Sequence, residues 1–391
     1  MKLLFYTHYF PPSVGGVETI TSSLASGIAE WGTRSGAPQI HLTLVTQTSA
    51  GSFEDNGLPF KIVRQPGLWT LIRMIRTSDV IHIAGPSLIP MLLAWLMKKP
   101  TVVEHHGHQA ICPNGLLIHQ PDGAVCPGHF QAHNYGECLN CLTEETPSPR
   151  AQLSLAIMML RHWLARRMSV NIAVTEYVKQ RHGLPRCEVI YHGIEASQHP
   201  RPLVSPGPGD TKPFFAFVGR FVREKGISTL LGAVNRLKAQ GYNFEVKLIG
   251  DGTCRAEIET EIETHGLRPF VTITGFLGEA LMSAALEQAL ALVMPSTWEE
   301  TAGLAAIEQM MQGRLVIASA IGGLQEIVGD TGMTFPAGDA VALADRMQSV
   351  LQNPEAAKQL GEKARERALA FFPRQRMIQD HLNVYCRYLS R

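Results

Sequence analysis

One pattern occurs twice in this chain, once on each side of a proline-rich stretch, and that repetition limits the fold more than any other feature. Short apolar runs alternate with stretches of helical period. In the first half the runs are 2–6, 40–46, 80–83, 101–104, 170–174 and 189–191. In the second they are 214–218, 244–249, 271–274, 291–294 and 315–318. Amphipathic stretches fill the gaps, for example from Gly16 to Trp31, from Gly226 to Gln240, and through Met311. Buried runs alternating with helices predict a parallel sheet covered on both faces. Two such sets predict an α/β protein with two Rossmann-like domains facing a cleft. Residues 199–213 hold five Pro and two Gly in 15 positions, which reads as a linker. The expected domains are therefore 1–198 and 214–370. The tail from Glu355 onward has a helical pattern, and its last part, 371–391, is expected to pack back on the first domain.

Composition narrows the class. The 391 residues are 45% hydrophobic, enough for two separate cores. The formal net charge of +1 provides no global field to recruit nucleic acid, so no nucleic-acid partner is expected. The opening Met1-Lys-Leu-Leu-Phe-Tyr-Thr-His turns polar too soon for a signal peptide. The apolar stretch 88–97 has ten residues, about half of the ~20 that a bilayer crossing needs. A cytoplasmic protein without a membrane-spanning helix is expected.

In open parallel sheets ligands sit beyond the carboxyl ends of the strands, so the loops after each strand are where chemistry is sought. Gly219-Arg220 follows the strand at 214–218, and Lys225-Gly226 opens the next helix. Two cations beside a helix N-terminus make an anion site, and Arg grips a diphosphate bidentately. The competing reading is a pair of solvated surface charges. Glu300 and Glu308 flank a run of small residues, Thr301, Ala302, Gly303, Ala305 and Ala306. Small residues let a ligand approach the backbone. The amides of Thr301, Ala302, Gly303 and Leu304 are placed to bind phosphate or sugar oxygens at a helix start. The carboxylates would accept hydrogen bonds from sugar hydroxyls. Glu300 is expected in the loop and Glu308 about two turns down the helix.

Six segments occur in order: Phe217-Val-Gly-Arg220, Arg223-Glu-Lys225-Gly226, Gly250-Asp-Gly252, Pro295-Ser296, Glu300 to Glu308, and Gly322-Gly323-Leu-Gln-Glu326. Over about 214–340 this set resembles the donor domain of family 4 retaining glycosyltransferases of the GT-B fold. The resemblance implies transfer of a sugar from a UDP or GDP donor to an acceptor hydroxyl, with retention and without a catalytic metal. It implies that Arg220 and Lys225 clamp the diphosphate and that Gly219 lies beside it. Glu308 would bind the ribose, Glu300 the donor sugar, and Gly275 would lie by the base. Glu326 reads as structural. Gly15 and Gly16, after the first strand, would reach the donor phosphates. The acceptor would be a glycan, a lipid-linked molecule or a small molecule. A nucleotide-sugar 2-epimerase and a non-catalytic nucleotide- or partner-binding scaffold are the alternatives.

The loop Glu104-His105-His106-Gly107-His108 follows the fourth run. The family carries a His here near the reacting centre, and His106 matches best. At Tyr191-His192-Gly193 the chain departs from the family, which commonly has Asn before this Gly.

Cys112, Cys126, Cys138 and Cys141 lie in an insertion at 108–146, and the last two form a C-x-x-C pair. Four thiolates form a closed tetrahedral zinc site that would hold a long irregular loop. His129 and His133 are substitute ligands, and unliganded thiols or disulfides are the other readings. Similar four-Cys insertions recur in some members of the family. Finally, 150–168 reads as a helix with Leu153, Leu155, Ile157, Met158, Leu160 and Leu164 beside Arg150, Arg161, Arg166 and Arg167. Such a helix either packs on its own sheet or makes peripheral contact with anionic lipid at the inner face of a membrane.

Overall fold

The computed structural model describes residues 1–32, 39–51, 53–121, 123–143, 148–196 and 212–388. The chain divides into two compact units, Met1–Glu195 with Pro373–Arg391, and Ala196–Phe372. Most of the linker expected at 199–213, and residues 122 and 144–147 of the insertion, lie outside the described residues.

In unit 1 the strands are β1 (Lys2–Thr7), β2 (His41–Thr46), β3 (Lys61–Arg64), β4 (Val80–Ala84), β5 (Thr101–His105), β6 (Ile118–His119), β7 (Ala124–Val125), β8 (Val170–Ala173) and β9 (Cys187–Val189). Seven of them form one parallel sheet in the order β3-β2-β1-β4-β5-β8-β9. β4 and β5 are buried at every position, and their polar members His82, Thr101, Glu104 and His105 are buried with the apolar ones. β6 and β7 form a small antiparallel hairpin in the insertion. The expected strand at 189–191 starts two residues earlier, at Cys187, and leaves the sheet after Val189.

The helix Arg374–Cys386 belongs to unit 1. Met377, Ile378, His381, Leu382 and Tyr385 recur every three or four residues and are buried, so one helical face packs inward. Arg374 Nε donates to Ser23 Oγ at 3.0 Å on the helix Gly16–Gly32. The Tyr385 hydroxyl meets His82 Nδ1 at 2.9 Å.

In unit 2 the strands are β10 (Phe214–Val218), β11 (Glu245–Ile249), β12 (Val271–Gly275), β13 (Ala289–Met294), β14 (Leu315–Ser319) and β15 (Met333–Phe335). They form a parallel sheet in the order β12-β11-β10-β13-β14-β15. Phe215, Phe217, Leu231, Leu248, Val293 and Ile317 are among its fully buried side chains. Both large sheets are the Rossmann-like sheets that the doubled pattern predicts. Each reverses its strand order once, between β1 and β4 and between β10 and β13. In such sheets the reversal opens a ligand crevice at the carboxyl ends of those two strands.

Candidate functional site

In unit 2 the loops after β10 and β13 flank the reversal, and the expected site residues sit on them. After β10 the chain passes Gly219 and Arg220, makes a single 3-10 turn at Arg223–Lys225, and enters the helix Ile227–Ala239. Gly226 caps that helix at φ 66°, a left-handed conformation that glycine adopts freely. A Cβ there would collide with the Pro295 carbonyl oxygen, so only glycine lets the two loops come this close. The Thr297 amide donates to the Glu224 carbonyl at 2.9 Å and locks them together.

This packing delivers Lys225 to Glu300. Lys225 Nζ donates to Glu300 Oε1 at 2.7 Å, with side-chain exposures of 17% and 7%. The Ser296 hydroxyl donates to the same oxygen, and Ser319 Oγ in turn donates to the Ser296 carbonyl at 2.6 Å. Burial pushes the Glu300 carboxyl up, but the Lys225 charge and the hydrogen bonds from Lys225 and Ser296 outweigh it and leave it below the usual range. Glu300 is therefore a charged, oriented acceptor at neutral pH. Its own carbonyl accepts from the Gly323 amide at 2.6 Å, which ties it to the helix Gly322–Val328 that carries Glu326.

Gly303, at φ 60°, caps the helix Leu304–Met311 and, lacking a side chain, makes no side-chain cap hydrogen bond to its leading amides. Such amides are natural donors to anionic oxygens. Thr301 and Ala302 are buried just before it. Glu308 is the fifth residue of this helix, so it lies just past one turn from the start, not two as the sequence suggests. It shares a half-buried face with Leu304, four residues earlier. Arg220 is exposed, and its guanidinium makes no hydrogen bond or ion pair among the described residues. Gly275 ends β12, and its carbonyl accepts from the Gly250 amide at 3.0 Å. The structure thus joins Lys225 to Glu300, and leaves Arg220 facing solvent at the same strand end.

In unit 1, Gly15 precedes and Gly16 begins the helix Gly16–Gly32, after β1. Beyond β5 the three neighbouring His do not converge. His105 Nε2 meets Asn171 Oδ1 at 2.9 Å and His108 Nδ1 meets His182 Nε2 at 3.2 Å, which separates them from His106 and from a shared metal. His106 instead joins a cluster that the sequence did not suggest. Glu104, 1% exposed, faces His82 Nε2 at 3.3 Å, His106 Nε2 at 3.6 Å, His381 Nε2 at 3.6 Å and His192 Nε2 at 3.8 Å. His106 Nδ1 and His192 Nε2 lie 3.1 Å apart. Burial pushes His82 down to about 4 and His192 to about 3. Burial also lowers His106. For Glu104 burial acts upward, but the surrounding imidazoles, His106 and His381 foremost, outweigh it and hold the carboxyl well below its usual range.

Cys112, Cys126, Cys138 and Cys141 line one small cavity together with His119, His129 and Glu137. The 150–168 segment is a helix at Pro149–Ala165 that buries Leu155, Met158 and Leu164. Leu153, Met159, Leu160 and Trp163 are exposed. Arg161 is not part of a surface charge stripe, because its Nη1 turns inward to the Gln109 carbonyl at 3.2 Å.

Residues 14–198 match the model described as Glycosyltransferase Family 4, and residues 204–367 the model described as Glycosyl transferases group 1. Among curated proteins, the chain is 31% identical over 157 residues to an alpha-D-kanosaminyltransferase of Streptomyces kanamyceticus, covering 40% of each chain. It is 30% identical over 243 residues to a glycogen synthase of Mycobacterium tuberculosis, covering 60% of this chain and 58% of that one. The matched stretches thus span only about half the length of these relatives. Among solved structures, Anabaena HepE in complex with UDP-glucose superimposes with a TM-score of 0.72 at 16% identity, covering 99% of both chains. That likeness extends the GT-B arrangement of two parallel-sheet Rossmann-like domains to the whole chain. With one family model on each unit, the chain belongs to the family 4, group 1 glycosyltransferases.

Proposed function

We propose that this protein is a retaining glycosyltransferase that moves a sugar from a UDP or GDP donor to an acceptor hydroxyl. The observation that carries the reading is the buried Lys225–Glu300 pair at the strand reversal of unit 2. Lys225 and the exposed Arg220 neutralise the diphosphate, with Gly219 beside it. Glu300 and the amides of Thr301, Ala302, Gly303 and Leu304 take the donor sugar. Glu308 takes the ribose, and Gly275 lies by the base. Gly15 and Gly16 serve the phosphates from unit 1, and His106 acts at the reacting centre. The acceptor oxygen bonds to the anomeric carbon as the bond to the leaving phosphate breaks. The acceptor proton passes to the phosphate oxygen on the same face. Fixed cations supply the leaving-group stabilisation that a divalent ion would otherwise give. The UDP-glucose held by HepE supports a nucleotide-sugar donor.

The test is a thermal-shift panel of UDP and GDP sugars, followed by acceptor-dependent release of the matching diphosphate. One sugar nucleotide is expected to stabilise the protein, and release is expected to proceed without added divalent cation. Interconversion of the donor without an acceptor would favour the epimerase reading, and binding without turnover the scaffold reading.

The exposed apolar residues on Pro149–Ala165 and the neighbouring Arg150, Arg166 and Arg167 suit an anionic cytoplasmic leaflet, and hence a glycan or lipid-linked acceptor. No helix among the described residues is long and apolar enough to cross a membrane. Vesicles containing anionic lipid are expected to sediment the protein at low salt, and Leu160→Glu with Trp163→Glu to release it. Equal binding to neutral vesicles would sink the contact.

A further inference from the structure

We propose that the four cysteines of the insertion hold a structural zinc ion through their thiolates. Cys112 follows β5 by a short irregular stretch, Cys126 follows the hairpin β6–β7, and Cys138 and Cys141 lie one turn apart on the helix Tyr135–Cys141. Three separate pieces of chain thus bring these cysteines to line one cavity of about 10 Å³. A space of that size is about one water-sized sphere.

N–H donors surround Cys141, the least buried of the four. The Gln120 amide donates to Cys141 Sγ at 3.4 Å, and Asn114 Nδ2 donates to the same sulfur at 3.3 Å. N–H donors aimed at sulfur stabilise its anionic form, and they are the partners that orient a metal-bound ligand. Asn114 Oδ1 accepts from the Cys112 thiol at 2.9 Å and the Ile118 carbonyl from the Cys141 thiol at 3.4 Å, and these are protons that metal binding displaces. Each cysteine gives up its proton when a divalent cation binds.

The insertion also needs a fastener. Its regular structure is one hairpin of two-residue strands and one helix of seven residues. Among the described residues its apolar packing is two small clusters, Ile111, Cys112, Leu117 and Cys126 in one, and Phe130 and Cys138 against Leu155 and Met158 in the other, so cysteines make up three of its six buried members. A long loop with so little core is held by something else or not at all. Among divalent ions, thiolate ligands select zinc over magnesium, calcium or manganese. His119, His129 and Glu137 line the same cavity, with donor atoms within 4.8 Å of one another. His119 Nε2 faces Glu137 Oε2 at 3.5 Å, which suits a supporting pair outside the four thiolates.

The experiment is elemental analysis of the full-length protein purified from zinc-supplemented medium without chelator. One zinc per chain is expected. Titrating the native protein with an organomercurial in the presence of a zinc-binding dye should release that zinc in step with the modification of four thiols. This reading does not depend on any variant folding. Cys138→Ser with Cys141→Ser should lose the metal, whereas His119→Ala with His129→Ala should keep it. Absence of zinc, disulfides among the four cysteines by mass spectrometry, or zinc that survives the double cysteine change would each overturn the proposal. The transfer reaction can fail its own test while this one succeeds, because the readout is metal content.

Discussion

Lys225→Ala is expected to cut sugar transfer by about 10²–10³-fold, the usual effect of losing one preorganised group aimed at developing charge. It should also lower the stability of unit 2 by about 3–5 kcal/mol, because removing one partner of a buried ion pair leaves the other uncompensated. Glu300 is 6% exposed, and its Oε1 already receives both Lys225 and Ser296. Without the ammonium, burial dominates and the carboxyl rises toward neutrality. Glu300 ionises below its usual value in the folded protein, so the stability it brings is present above the ordinary carboxylate range. That stability is lost as pH falls through the lowered value. In Lys225→Ala this stabilisation should vanish. The two effects separate in Lys225→Met with Glu300→Gln, which removes both charges and keeps the volume. That pair should regain most of the stability and none of the turnover. The measurements are the denaturant midpoint and the rate of diphosphate release. A Lys225→Ala protein with wild-type turnover would remove the donor-site assignment. A double variant as active as wild type would do the same.

The proposed donor side was legible in part because its parts are local. The loops that carry Arg220, Lys225 and Glu300 each follow a strand whose apolar run is plain in the sequence, whereas Glu308 was expected about one turn too far down its helix. What position could not give was the pairing. Lys225 and Glu300 are 75 residues apart, and only the close approach permitted by Gly226 makes them a buried ion pair. On sequence alone Glu300 is a ligand contact; in the fold it is also the partner of the cation beside it.

Unit 1 was less transparent for a related reason. His82, His106, His192 and His381 come from four separate places in the chain; the sequence singled out His106 and His192 for other reasons, and His82 and His381 read as ordinary histidines. Their common partner, Glu104, directly follows Val102 and Val103 in a strand buried at every position, and that buried acid was the one available signal. Strand β3 and the helix Arg255–Thr264 escaped notice because neither is strongly apolar. β3 is a half-buried edge strand with Lys and Arg at its ends, and the helix buries only Ile258 and Ile262. Arg161 shows the converse error. Spacing put it in a basic stripe, but its neighbours turn it inward to a carbonyl.

The same cluster makes unit 1 acid-labile. Below about pH 6.5 its stability is expected to fall, and to keep falling toward pH 4. Burial lowers His82 in the cluster, and His105 beside it on β5, from 6.5 to about 4, and His192 to about 3. Between those values the unfolded chain binds protons that the folded chain refuses, so stability declines as pH drops. Glu104, held well below its usual range, acts in the same direction once the pH reaches the carboxylate range. The groups facing that carboxylate are His82 from β4, His106 beyond β5, His192 beyond β9, and His381 from the helix Arg374–Cys386, which also brings Tyr385 to His82. Three imidazoles each displaced by two units or more imply a loss on the order of several kcal/mol by pH 4.5. Four of the five tryptophans, Trp31, Trp69, Trp95 and Trp163, lie in unit 1, so intrinsic fluorescence follows it. Denaturant midpoints at pH 7.5, 5.5 and 4.5 should drop at each step. His82→Gln with His192→Gln should flatten that slope, because two of the groups that refuse protons are gone. A midpoint that stays level from pH 7.5 to 4.5 would mean that these imidazoles are solvated and that the cluster around Glu104 does not exist in solution.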